Sequence, residues 1–164
     1  MPKDSTILLA VVVLLAAVPI AACQAPPDAP EPEHESLDFE RVGHGRNSSI
    51  QAPTEVRITD PQMWRQYADS LSPIGSLSEV DFDERDILLI AVPVNSGGYD
   101  LAVDEVERVD GDVRVHYTLE EPGEDCLTAQ VLLTPFVAVS VPGLETDPIF
   151  ERSVVTYSCG VRQN

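Results

Sequence analysis

The sequence predicts a mainly β (α+β) domain, in which an antiparallel sheet or sandwich of about six to eight strands is covered in part by one helix. Three observations lead to this fold class. Short runs of alternating apolar and polar residues follow Leu37, turn residues such as Asp110-Gly111-Asp112 separate these runs, and apolar residues near Trp64 recur at helical spacing. Because a sheet with one apolar face has to bury that face, we expect a second layer to pack against it.

The predicted strands follow one another along the chain after Leu37. They occupy residues 37–45, 55–59, 87–92, 99–109, 113–119, 131–141 and 149–157. The third is a continuous apolar run, which is typical of a strand buried on both faces. The fifth alternates strictly, so we expect one buried face and a solvent-exposed His116 on the other. Asp110-Gly111-Asp112 predicts a hairpin, and Pro135 indicates an edge or a bulge.

One helix is predicted directly after the second strand. Asp60 is a favourable N-cap, and Pro61 fits the first helical position, where its missing N–H costs nothing. Trp64 and Tyr67 belong to a set of apolar residues at helical spacing, which gives the helix one apolar face. We expect the helix to end before Pro73 and Trp64 to anchor it in the core.

The first residues have the pattern of a bacterial lipoprotein signal. A positive charge at Lys3 precedes an apolar run that is too short for a comfortable membrane span. The segment Ile20-Ala21-Ala22-Cys23 then matches the lipobox: a branched apolar residue, two small residues and a cysteine. We therefore predict removal of residues 1–22, lipidation of Cys23 and attachment of the exported chain to a membrane. The alternative is an ordinary signal peptide that leaves Cys23 as a mature thiol.

Residues 23–36 are predicted to form a lipid-anchored, acidic linker. Four prolines within residues 24–36 oppose packing, so we expect a disordered stalk in which His34 is solvated. Gln24 replaces the aspartate that commonly retains lipoproteins in the inner membrane, which favours the outer membrane if the cell has two. The folded domain is then expected to span residues 37–164.

The charge of the chain is strongly acidic. Ten lysines and arginines oppose 28 aspartates and glutamates, so the formal net charge is −18. Such a field repels nucleic acid and anionic lipid headgroups, so both are poor candidate partners and we predict no binding of nucleic acid. The charge suits either attraction of a basic partner or solubility in a salty habitat. The acids are spread along the chain, which favours solubility.

Two cysteines remain once Cys23 is assigned to the lipid anchor. Cys126 and Cys159 lie in an exported chain and are predicted to form a disulfide. Closing this loop would stabilise the fold by about 3–4 kcal/mol in the chain-entropy account. A nucleophilic or metal-binding cysteine is the alternative, but no further cysteine or histidine stands at ligand spacing. We predict no metal ion and no cofactor.

The most distinctive short segment of the domain follows the apolar run 87–92. It consists of Asn95, Ser96, Gly97, Gly98 and Tyr99. Two glycines permit positive φ values and the close approach of another chain. The segment is therefore either a tight connection between strands or a contact loop that presents Tyr99 to a partner.

The order of these segments resembles that of a known family, the C-terminal domain of the protease complex subunit PrcB. The resemblance covers residues 80–142 and rests on three elements: the apolar run, the Ser-Gly-Gly-Tyr segment with its hairpin, and the stretch Thr134-Pro135-Phe136 with the apolar residues that follow. It implies an accessory subunit without catalytic residues of its own, which binds and stabilises a surface or periplasmic protease.

Three functional hypotheses follow from these observations. The first is a non-catalytic, membrane-anchored binding lipoprotein whose partner is a protein, such as a protease. The second is a structural lipoprotein of the cell envelope. The third is an enzyme that uses a pair of carboxylates, although the sequence contains no nucleophile elbow, phosphate-binding glycine loop or zinc-binding helix motif. We predict that the chain is not an enzyme.

Overall fold

The computed structural model describes residues 34–160. Cys23, the predicted signal segment and most of the predicted linker lie outside the described residues. None of the helices in residues 34–160 has the length and apolar character needed to cross a membrane.

The described part of the chain contains ten strands and one helix. Seven strands have five residues or more, and the mainly β fold class with a single helix is confirmed. In chain order the elements are β1 His34–Ser36, β2 Glu40–Gly45, β3 Asn47–Ser48, β4 Thr54–Ile58, α1 Pro61–Ala68, β5 Leu71–Ser72, β6 Arg85–Ala91, β7 Asp100–Val109, β8 Asp112–Pro122, β9 Phe136–Pro142 and β10 Ile149–Tyr157.

Eight of the ten described strands form two four-stranded sheets. One sheet has the order β1-β7-β8-β10 and the other has the order β2-β9-β6-β4, while β3 and β5 make a small separate pair. All of these pairs are antiparallel except β8 and β10, which run parallel. Between β8 and β10 the chain passes through β9, which belongs to the other sheet. β10 therefore enters the first sheet in the same direction as β8.

The core has two layers because the strands β6 and β9 are buried on both faces. On one face Leu88 and Ile90 meet Val115 and Tyr117 of the other sheet. On the opposite face Ile87, Leu89 and their neighbours on β9 lie under the helix and the adjoining loops. The apolar run of β6 is therefore a strand buried on both faces, as its composition predicts.

The helix begins as predicted, but none of its residues is fully buried. Asp60 Oδ1 accepts hydrogen bonds from the amides of Gln62 and Met63 at 2.9 and 2.8 Å, and Pro61 takes the first helical position. Trp64 is half-buried and packs against the outer core cluster. The helix ends at Ala68, before Pro73, because the next residues pair with β3.

The hairpin of β7 and β8 is also confirmed. Asp110 and Gly111 form a two-residue connection with φ values of 52° and 93°, and Val109 pairs with Asp112 across it. Two positive φ values are typical of the type I′ turn that matches strand twist. Alternate residues of β8 are buried, and His116 lies half-buried on the polar face.

The structure corrects the sequence prediction at several places. β9 begins at Phe136 rather than at residue 131, and His116, which the sequence predicts to be exposed to solvent, is half-buried and bonded to Glu107. His34, Glu35 and Ser36 form β1 and pair with β7, so this end of the predicted stalk is part of the sheet. These three residues contain no proline, and Glu35 forms an ion pair with Arg108. Pro135 lies before β9 rather than within it, and its carbonyl accepts a hydrogen bond from Val92 N at 3.1 Å.

Candidate partner-binding surface

The loop Asn95–Tyr99 connects the two sheets and is tied down by a neighbouring segment. Just before it, Val94 and Leu133 exchange backbone hydrogen bonds of 2.8 and 3.1 Å. Within it, Gly97 N donates to Ala129 O at 2.9 Å. The loop is therefore held against residues 127–133, which precede β9.

The two glycines of this loop have different roles. Gly98 has a φ of 96°, and its carbonyl accepts a hydrogen bond from the Tyr157 hydroxyl at 2.8 Å. A Cβ atom at Gly98 would lie 2.9 Å from that hydroxyl oxygen, whereas a Cβ at Gly97 would be 3.9 Å from its nearest neighbours, two backbone atoms of Ala129. A glycine is thus needed at position 98, where φ is positive and a neighbouring atom is close. At Gly97 there is room for a Cβ atom.

The other residues of the loop are only partly available to a partner. Asn95 is exposed, whereas Ser96 is buried. Tyr99 is half-buried and packs against the core between the sheets, so it is not presented freely to solvent. Asn95 and Tyr99 instead line a groove.

This groove, the Tyr99 groove, has a volume of about 500 Å³ and lies between the loop, residues 127–133 and β10. Its apolar wall includes Tyr99, Leu132 and Val154, and its polar groups include Glu121 and Arg152. A groove with apolar walls and a few charged groups at its edge is typical of a recognition site.

Exposed apolar side chains are concentrated beside the Tyr99 groove. Among residues 34–160, seven of the eight large hydrophobic residues that are exposed lie on residues 127–132 or on β10. We leave out Ile149, at the start of β10, and call the other six the Leu132 surface, which comprises Leu127, Val131, Leu132, Val154, Val155 and Tyr157. Leu132 is 83% exposed, although burying a leucine is favourable by about 1.5–3 kcal/mol. Such a concentration is typical of a surface that contacts another molecule.

A disulfide holds this part of the surface in place. The structure joins Cys126 and Cys159 with a sulfur–sulfur distance of 1.99 Å, as predicted. Nearby, Gly123 N donates to Tyr157 O at 2.8 Å and Ser158 Oγ donates to Asp125 Oδ2 at 2.6 Å. The Ser158 hydrogen bond and neighbouring backbone amides lower the pKa of Asp125. The start of the exposed apolar segment is therefore fixed to the end of β10.

The surroundings of the Leu132 surface are acidic. Glu120 and Glu121 lie at the end of β8, and Glu124 and Asp125 follow in the next loop. Glu121 accepts a hydrogen bond from Thr156 Oγ1 of β10 at 2.9 Å. The arrangement can accommodate an apolar partner that carries positive charge, since unlike charges at the rim of an interface favour encounter.

A second polar cluster lies on the outer face of the β7–β8 sheet. Glu107 is buried, with His34 Nδ1 at 2.8 Å and His116 Nε2 at 2.9 Å from its two oxygens. His116 also lies 3.5 Å from Glu151, which bonds Arg114 at 2.6 Å. The hydrogen bond from His116 is the main reason that the pKa of Glu107 is lowered, and the charges of His34 and Arg114 add to it.

Sequence reasoning missed this cluster because its members come from four strands. Only the alternation of β8 and its hairpin register with β7 could have indicated that Glu107 and His116 share a face. In the described part of the chain, no group of three histidine, cysteine or acidic side chains is placed to hold a metal ion. The cluster connects β1 to the sheet.

Comparison with known proteins gives one family. Residues 90–142 match the family model described as PrcB C-terminal. This segment runs from Ile90 in β6 to the end of β9 and includes the Asn95–Tyr99 loop, the hairpin and residues 127–133. No curated protein matches the chain. No solved structure matches it either.

Proposed function

We propose that this chain is a non-catalytic accessory subunit that binds and stabilises a protease, on the ground that residues 90–142 match the family model described as PrcB C-terminal. The observation that carries the proposal is the Leu132 surface. It places six of the eight exposed large apolar side chains of residues 34–160 on residues 127–132 and on the second half of β10, three of them within the family-matched segment. An accessory role requires such a surface and does not require an active site.

The surface is suited to binding because it is already ordered before a partner arrives. The disulfide, the Gly97–Ala129 hydrogen bond and the Val94–Leu133 pair fix the segment that carries Leu132. A partner that docks here therefore does not have to order that segment, and more of the burial energy of Leu132 and Val154 contributes to affinity.

The proposal includes a lipid anchor at Cys23, which the lipobox of residues 20–23 supports. Two or three acyl chains give stable attachment, whereas a single chain does not. Confining the subunit to a membrane surface raises its effective concentration toward a partner at that same surface. Gln24 supports the outer membrane as its location where two membranes are present.

Affinity capture from detergent-solubilised membranes tests the binding proposal. We expect the wild-type chain to recover a protease and Leu132→Asp to lose at least about tenfold of it, because a charge would have to be buried at the contact. Ile74→Asp is the matched control, since Ile74 is also exposed, at 57%, but lies outside the Leu132 surface. Repeated recovery of the wild-type chain alone would contradict the proposal, and equal loss with Ile74→Asp would remove the role of the surface.

A further inference from the structure

Among residues 34–160, β10 is the last strand and forms a free edge of the sheet β1-β7-β8-β10. We propose that β10 receives an extended segment of the protein partner as an added strand, and that this segment carries lysine or arginine side chains. The inference rests on the proposed function, since it names how and through which chemistry the accessory subunit holds its partner.

The edge at β10 lacks most of the features that usually prevent strand addition. Natural edges are shortened or bulged, or carry proline or charged side chains. β10 has nine residues and no proline, and it pairs with β8 in one continuous register. Its charged residues, Glu151 and Arg152, lie in its first half, and Ser153–Tyr157 carries no charge. Within residues 34–160 it pairs with β8 alone.

The other three edges of the two large sheets are protected. β1 has three residues and β4 has five. The register of β2 with β9 shifts between Arg41 and Gly43, which marks a bulge. β10 is therefore the one long, regular edge among the described strands, and an edge of this kind is a template for another chain.

The backbone groups that would bind the added strand can be identified. Tyr157 O accepts the hydrogen bond from Gly123 N, so Tyr157 directs its backbone groups toward the β8 side. Along a strand these groups alternate between the two sides. The amides and carbonyls of Phe150, Arg152, Val154 and Thr156 consequently face the free edge.

Side chains on both faces of β10 would contact the added strand. Val154 is 49% exposed and lies on the Tyr99 groove with Leu132. Val155 is 50% exposed and lies on the opposite face. A partner strand with apolar residues at alternate positions would therefore pack into the groove while its backbone bonds the edge.

The charge around β10 decides the chemistry of the occupant. Glu120, Glu121, Glu124 and Asp125 stand beside the end of the strand, and the whole chain has a net charge of −18. A second copy would bring the same charges into contact with themselves. Residues 24–33 of this chain are acidic and include four prolines, which lack the amides that a ladder needs. A basic segment of another protein fits best.

The direct test uses a peptide probe with the full chain in detergent. The probe is an end-capped nonapeptide in which lysine alternates with valine and threonine, and hydrogen exchange of the β10 amides is the readout. We expect the probe to slow exchange at Phe150, Arg152, Val154 and Thr156 by at least about tenfold. A probe with glutamate in place of lysine is expected to bind at least about tenfold more weakly.

Two further comparisons separate strand addition from ordinary side-chain contact. A probe that is N-methylated at alternate amides should lose binding by at least about tenfold. Val154→Pro removes one amide from the free edge and none from the β8 ladder, so it should weaken the probe similarly. Val154→Thr, which keeps the amide and the branched shape, should bind as the wild type does.

Several outcomes would overturn the inference. The inference is wrong if the N-methylated probe or the glutamate probe binds as tightly as the lysine probe. It is also wrong if the full chain self-associates and Val154→Pro abolishes this association, because a second copy would then occupy the edge. If Val154→Pro captures the protease as well as the wild type does, the edge is not the contact and the proposed function stands. If the probe binds but no protease is captured, the edge is confirmed and the proposed function fails.

Discussion

Asp86 shows how a single buried carboxylate connects distant parts of the fold. It is 5% exposed, and its Oδ2 accepts hydrogen bonds from Arg57 Nε and Leu144 N, both at 2.8 Å. Arg57 also donates to the carbonyl of Leu144. These bonds fix the connection between β9 and β10 to β4 and β6, so the position of β10 depends on them.

We predict that Asp86→Ala lowers the free energy of unfolding by about 3–5 kcal/mol, because the change removes the buried carboxylate that pairs with Arg57 and the acceptor of the Leu144 amide. Denaturant unfolding followed by fluorescence of Trp64 measures this. Asp83→Ala is the control, since Asp83 is exposed, and it should change stability by less than about 0.5 kcal/mol. Equal effects of the two substitutions would show that the buried pair contributes little.

The lowered pKa of Glu107 predicts how the free energy of unfolding changes at acid pH. The His116 hydrogen bond lowers the pKa of Glu107 in the folded state, and the charges of His34 and Arg114 lower it further. A carboxyl group with a lowered folded-state pKa stabilises the fold above its unfolded pKa, and this stabilisation is lost as the pH falls through the folded pKa. We expect Glu107→Gln to lose stability near pH 7 and to depend less on pH below about 4.5 than the wild type.

Unfolding curves measured at a series of pH values test this prediction. Asp104→Asn is a suitable control, because Asp104 lies on the same strand and is exposed, with one hydrogen bond from Thr118 Oγ1 at 2.7 Å. An unchanged slope below about pH 4.5 in Glu107→Gln would show that other carboxyl groups determine the acid response.

At the scale of elements, the two glycines of the Asn95–Tyr99 loop are expected to differ in how well they tolerate substitution. Gly98→Ala forces a positive φ on an alanine and brings its Cβ to 2.9 Å from the Tyr157 hydroxyl oxygen. We expect a loss of about 1–3 kcal/mol in unfolding free energy and weaker attachment of the loop to β10. Thermal and denaturant unfolding measure the loss.

Gly97→Ala is the matched control for Gly98→Ala, because its Cβ would have ordinary contacts 3.9 Å away. It should leave stability within about 0.5 kcal/mol of the wild type. Combined with affinity capture, the pair distinguishes the two interpretations of the loop. A contact loop predicts that Gly97→Ala reduces capture without loss of stability, whereas a simple connection predicts no change in capture.

Elements with local signals could be predicted, whereas elements defined by distant partners could not. The cap at Asp60 and the turn at Asp110 and Gly111 each involve residues that adjoin in the chain, so composition alone indicated them. β1 carries no such signal. It is held by pairing with β7 and by ion pairs to Glu107 and Arg108, residues more than seventy positions away.

At the scale of the whole molecule, the proposed anchor makes a clear prediction. Cys23→Ser removes the thiol that would accept lipid, and we expect the chain to move from the membrane fraction to the soluble fraction. Mass spectrometry of the mature N-terminus should find a lipid-modified Cys23 in the wild type. Cys126→Ser is the control for loss of a cysteine, and it should remain with the membrane. Cleavage elsewhere, or an unmodified Cys23, would contradict the anchor.

The sequence by itself determined the mainly β fold class, the single capped helix, the β7–β8 hairpin and the family resemblance of its central segment. All of these depend on short-range periodicity, turn residues or motif order. Tertiary structure decided that β10 returns parallel to β8, that Leu132 lies beside Val154, and that Glu107 meets two histidines. Each of these contacts joins residues distant in the chain, and its geometry depends on how two sheets pack around one core.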